Sequence, residues 1–169
     1  MTKSFAVSAL IILCIAMAES AILSNIAILP AVPDLMLISS LYFSLVNGRG
    51  YGEAAGFLSG LALDFLSGAP FGFNCIFRTI IGYAAGFFSA SLNYGGVFIP
   101  CMIGLCGTLA KAVLVWLIAL FFPAVPLAYH VFSMPFAFEL AANIVLTPLV
   151  FRLLGSFRYA IALHDGDAL

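Results

Sequence analysis

Residues 5–29 read FAVSALIILCIAMAESAILSNIAIL, a run of 25 residues with Glu19 as its one charge. A stretch this long and apolar is long enough to span the ~30 Å hydrocarbon core of a bilayer as a helix, which takes ~20 residues. Pro30 and Pro33 stop it. The same pattern of long apolar runs cut by glycine and proline repeats to the end of the chain. The further runs cover residues 34–46, 51–67, 74–92, 97–122 and 131–154. Their punctuation is Asn47-Gly48-Arg49-Gly50, Ser67-Gly68-Ala69-Pro70, Asn93-Tyr94-Gly95-Gly96, Pro123 with Pro126, and Gly155. Backbone crossing lipid must be helical or a closed barrel, and these runs are too long and too uniformly apolar for barrel strands. The second run is short, which points to a helix tilted little or set in a thinned region.

Composition agrees. Of 169 residues, 64% are hydrophobic and 8% charged, against about 45–50% and about 25% in a soluble domain. So few charges cannot cover a water-facing surface, and a net charge of −1 gives no basic face for nucleic acid. The expectation is one all-α integral membrane domain over residues 1–169, a bundle of about six transmembrane helices with short loops. With the amino terminus inside, Lys3, Arg49, Arg152 and Arg158 fall on or near the inner side and the outer loops carry no Lys or Arg. The positive-inside rule then places both termini in the cytoplasm. Lys3, the apolar stretch and Ala16-Met17-Ala18 also resemble a cleavable signal peptide, but a run continuing to Leu29 suits a retained helix better.

Charges at membrane depth are costly and face a protein interior or a cavity. Glu19, Asp64, Arg78, Lys111 and Glu139 qualify. Depths counted at about 1.5 Å per residue put the last four in the outer half, where their charges cancel. They are expected to pair across helices. The competing readings are a hydrated groove or ligand pocket, with Arg78 and Lys111 receiving an anion, or snorkelling side chains. Asn143 and Thr147 follow Glu139 at four-residue steps and make one polar stripe suited to inter-helix hydrogen bonds. Asp34 and Glu53 are read as helix-end residues.

Gly52, Gly56, Gly60, Asp64 and Gly68 also recur every four residues, and Gly82 and Gly86 make a similar face on the next run. Faces bare of side chains let helices approach closely. They serve packing within the chain or docking of another protein's helix. Catalytic and metal motifs are absent: there is no H-E-x-x-H, no P-loop and no G-x-S-x-G. Cys14, Cys75, Cys101 and Cys106 form no C-x-x-C, and His130 and His164 lie far apart. The thiols read as apolar fillers, and neither cofactor nor enzyme activity is expected.

The ordered set Pro33-Asp34-Leu35, then G-x-x-x-G-x-x-x-D-x-x-x-G-x-P-x-G from Gly56 to Gly72, then Gly82-Tyr83-Ala84-Ala85-Gly86, and finally Asn143 to Leu149 resembles the bacterial rod shape-determining protein MreD family. The likeness covers nearly the whole chain. It differs at Asn93-Tyr94-Gly95-Gly96, where the family often has a basic turn. The resemblance implies a non-enzymatic inner-membrane scaffold of the elongation machinery for side-wall peptidoglycan. Its implied partners are membrane lipid, the bitopic protein MreC, and through it MreB, RodA and a class B penicillin-binding protein. The helix arrangement of that family also resembles the S-component-like fold of vitamin transporters, so the alternative is a small-molecule or lipid binding subunit of an energy-coupling-factor-type transporter.

Overall fold

The computed structural model describes residues 2–21, 30–67, 70–92, 96–121 and 133–162. The described residues form helices α1 (Thr2–Ala21), α2 (Leu35–Asn47), α3 (Arg49–Ser67), α4 (Phe73–Gly86), α5 (Phe98–Phe121), α6 (Met134–Gly155) and the short α7 (Arg158–Ile161), with no strand among them. Three of them, α1, α5 and α6, are long and apolar enough to cross a membrane by length and composition.

Helix α2 is the axis of the bundle. Every residue from Met36 to Leu45 is buried, and α2 packs against α1, α3, α4, α5 and α6. A helix enclosed on all sides by other helices need not span the hydrocarbon core on its own, which accounts for the short second run. At about 1.5 Å per residue its thirteen residues rise only about 20 Å. One side of α2 places Met36, Ile38, Tyr42 and Phe43 against Ile12 and Ala16 of α1 and Phe151 and Leu154 of α6. The other side places Leu37 and Leu41 against Phe77 and Ile81 of α4 and Val115 of α5. The outer helices turn Leu13 and Met17, Trp116 and Leu120, and Leu149 and Leu153 outward.

Serines do not disturb this core because their hydroxyls bond locally. Ser39 donates to the Met36 carbonyl at 3.1 Å and Ser40 to the Leu37 carbonyl at 2.8 Å. Ser44 donates instead across helices, to the Gly82 carbonyl of α4.

Two expected boundaries shift. The four-residue turn read between the second and third runs contracts to Gly48, which has φ 86° and ψ −173°. That region of backbone space is open essentially to glycine alone, so α3 starts at Arg49. The fourth run ends as a helix at Gly86 rather than Leu92. Beyond it the bonds tighten to a three-residue step, with Phe87 donating to the Ala84 carbonyl at 3.2 Å and Phe88 to that of Ala85 at 3.0 Å. Apolar composition alone does not register that change.

Candidate functional site

The glycine ladder is the seam between α3 and α4. A Cβ placed on Gly60 would lie 2.5 Å from the Cys75 Cα. One on Gly56 would lie 2.8 Å from the Arg78 carbonyl carbon, and one on Gly86 would lie 2.5 Å from the Arg49 Cα. Gly52 and Gly82 face each other's backbone, and Gly52 also meets the Ser44 side chain. The seam is therefore filled by the chain itself, which leaves no room on it for a partner's helix. Gly68 lies outside the described residues.

Asp64 ends the ladder and does not join the cations. Its Oδ2 accepts from the Gly72 N–H at 2.8 Å, and its Oδ1 accepts from the Asn74 N–H at 3.0 Å and Nδ2 at 2.8 Å. Orphan amides at a helix start favour a carboxylate, so Asp64 on α3 caps α4.

The cations gather on Asp34. Pro33 disfavours helix before it, and the Asp34 carboxylate accepts from the Leu37 N–H at 2.8 Å, making Asp34 the N-cap of α2. The same carboxylate receives Arg78 Nη2 at 2.7 and 2.8 Å and Lys111 Nζ at 2.6 Å. Lys111 also donates to Glu139 Oε1 at 2.7 Å. These ion pairs join α2, α4, α5 and α6, and Arg78 is wholly buried while Asp34 is 3% exposed. Asn143 supports the hub: its Oδ1 accepts from the Asp34 N–H at 2.9 Å and its Nδ2 donates to Thr108 at 3.0 Å. Thr147, one turn on, donates to the Asn143 carbonyl at 2.5 Å. Glu19 of α1 accepts from the Met36 N–H at 3.0 Å. Arg78 Nε and Nη1 have no hydrogen-bond partner among the described residues, although the guanidinium carbon lies 5.6 Å from the Phe77 ring centre, within range of a cation–π contact.

Arg78, Lys111, Glu139 and Asn143 are thus brought together, and Asp34, read in the sequence as a helix-end residue, is what joins them. Its visible signal was Pro-Asp ahead of an apolar run, which marks a cap and nothing more. The competing reading, in which Arg78 and Lys111 receive an anion, finds both cations already engaged by carboxylates. A cavity of about 250 Å³ opens beside the cluster, lined by Glu19, Asp34, Lys111, Glu139, Leu63 and Phe136 among others. No three His, Cys, Asp or Glu side chains converge as metal ligands among the described residues. His130 and His164 lie outside them, and the four cysteines are free.

A helical membrane protein, with its charges paired around a buried central helix, is the class these features define. The family model described as rod shape-determining protein MreD matches residues 1–157, and the chain belongs to that family, whose role is rod shape determination. No curated protein and no solved structure matched in comparison.

Proposed function

We propose that this chain is a non-enzymatic, multi-pass scaffold in the bacterial inner membrane, acting in cell elongation and side-wall peptidoglycan synthesis. In this reading six helices span the bilayer and both termini face the cytoplasm. The chain associates with an MreC-like bitopic protein and so connects MreB filaments to RodA and a class B penicillin-binding protein. The observation that carries the reading is the family match over residues 1–157. Helix directions support the topology: α1 and α3 begin, and α6 ends, at the end of the bundle that carries Arg49 and Arg152, and α7 with Arg158 returns to α1. Because α4 fills the glycine seam, a partner helix has to use another surface.

The likeness to vitamin-transporter S-components remains a fold-level analogy and carries no substrate with it. The test is affinity purification of the tagged full chain in mild detergent from cells carrying the MreC-like protein. Co-purification, together with rounding of cells that lack this chain, is expected. Rod-shaped cells without it, and no association with the MreC-like protein, would refute the scaffold. Genes for MreB and MreC found beside the gene for this chain would favour it further, whereas a neighbouring transporter ATPase gene would favour the uptake subunit.

A further inference from the structure

We propose that the end of the bundle carrying Arg49, Arg152 and Arg158 is a binding surface for the phosphate groups of anionic phospholipids. Among the described residues, exposed charge is confined to that end. Glu19, Asp34, Asp64, Arg78, Lys111 and Glu139 are buried. The exposed charged side chains are the three arginines and Glu53. None of the three arginines pairs with a carboxylate among the described residues. Glu53 stands one turn along α3 from Arg49 and offsets one positive charge, so the surface keeps an excess of positive charge. The side chains of Lys3, Asp165 and Asp167 lie outside the described ones. At the opposite end of the bundle the exposed groups are apolar, with Phe65, Phe71, Phe121 and Met134 turned outward.

The start of α1 ties the arginine-bearing segments together. Tyr51, two residues after Arg49, donates to the Ser4 carbonyl at 2.8 Å. The Ser4 hydroxyl donates in turn to the carbonyl of Ala162, just past α7, at 3.5 Å. Tyr51 and Ile161 also share one buried cluster with Phe151 and Leu154 of α6. Depth then separates a lipid from a protein partner. The 22 residues of α6 rise about 33 Å at 1.5 Å each, enough for the ~30 Å hydrocarbon core, and Arg152 lies in the last turn. It therefore stands at headgroup level, with Leu149 and Leu153 exposed beside it for the acyl chains. Tyr159 is 91% exposed and Phe157 is exposed next to Arg158, as aromatic residues at a membrane interface are. The Arg49 guanidinium lies 4.6 Å from the centre of the exposed Phe87 ring, a cation–π contact that holds it at the same edge. Guanidinium donors match two phosphate oxygens at once. An acidic protein segment would meet the arginines but leave these apolar side chains uncovered. The proposal is independent of the scaffold reading.

The test uses the full chain purified in detergent, with native mass spectrometry and thermal unfolding. The probes are phosphatidylglycerol, phosphatidylcholine and free glycerol phosphate. Phosphatidylglycerol is expected to be retained more tightly than phosphatidylcholine and to raise the unfolding temperature more. Arg49→Gln, Arg152→Gln and Arg158→Gln are each expected to weaken its retention about fivefold, and the triple variant to hold the two lipids alike. Raising the salt from about 0.05 M to about 0.5 M is expected to erase the preference of the unaltered chain, because exposed charges are screened; this covers the case of a misfolded variant. Equal retention of the two lipids by the unaltered chain, or an undiminished preference in the triple variant, would overturn the proposal. A preference that survives high salt would place the phosphate on buried cations instead and would also overturn it. Free glycerol phosphate displacing the lipid at equal concentration would assign the surface to a soluble phosphate and refute the lipid.

Discussion

A single methyl group at Gly60 tests whether α3 and α4 touch backbone to backbone. The Cβ of Gly60→Ala would lie 2.5 Å from the Cys75 Cα, 2.6 Å from the Cys75 nitrogen and 2.7 Å from the Asn74 carbonyl carbon. Ordinary van der Waals contact begins at 3.4 Å, so the helices have to part by about 0.9 Å. All three atoms are backbone, so no rotamer change relieves the clash. Overpacking of this kind costs about 1–3 kcal/mol. The displaced segment also carries the two Asn74 donors to Asp64. Stretching these charge-assisted bonds adds about 1–2 kcal/mol. Alanine's better helix propensity returns about 1 kcal/mol. The net expectation is a loss of about 1–4 kcal/mol, read by equilibrium unfolding in mixed micelles. Gly50→Ala is the control, because a Cβ there meets nothing within 4 Å. It is expected to be neutral or to stabilise by up to about 1 kcal/mol. Equal stability of the two variants would show that the seam does not exist in the folded protein.

Asp34→Asn keeps a capping side chain for α2 but strips the charge that faces Arg78 and Lys111, and is expected to cost about 3–5 kcal/mol. Adding Arg78→Gln should recover part of that loss, and strictly additive losses in the same unfolding assay would contradict the ion pair. Gly48→Ala is expected to cost about 1–3 kcal/mol from backbone strain alone, since the nearest atom to its Cβ is the Ser89 Oγ at 3.8 Å; wild-type stability would argue against the positive φ. Tyr51→Phe removes a hydroxyl that donates to the Ser4 carbonyl at 2.8 Å and lies 2.7 Å from the Ser8 hydroxyl. It should cost about 1 kcal/mol and speed hydrogen exchange in α1, and unchanged exchange would place α1 elsewhere.

What could be read from the chain in advance followed from local chemistry. Apolar run lengths located the helices, because a backbone in lipid has to satisfy its own hydrogen bonds. Four-residue glycine spacing marked a close-approach face, because that spacing is one turn of helix. The same spacing could not show whether the approaching helix came from this chain or another; that depends on where α4 folds. Asp34 shows the limit more sharply. Its cap to Leu37 spans three residues and is readable. Its ion pairs reach Arg78 and Lys111, 44 and 77 residues away. Depth along a helix, the one coordinate the sequence offers, grouped Asp64 with those cations and missed that its oxygens were taken by the start of α4. The central place of α2 was hidden for a similar reason, since a short apolar run looks alike whether lipid or protein surrounds it.

The glycine seam and the charge centre are one mechanical unit. Gly56 sits against the backbone of Arg78 itself, so the α3–α4 spacing sets how far the Arg78 guanidinium reaches toward α2. One turn further along, Ser44 of α2, Gly52 of α3 and Gly82 of α4 meet at a junction, with the Ser44 hydroxyl on the Gly82 carbonyl. That junction fixes α2 against the same pair of helices, so the Arg78–Asp34 separation of 2.7 Å is held from both sides. Widening it by about 0.9 Å weakens the Coulomb attraction by about 1.5 kcal/mol at an effective dielectric constant of about 20, a cost comparable to the clash itself. Side chains on the seam would therefore open the ion pair as well as the helices. The small residues are required where they stand because the charge they position is buried and has Asp34 as its one ion-pair partner among the described residues.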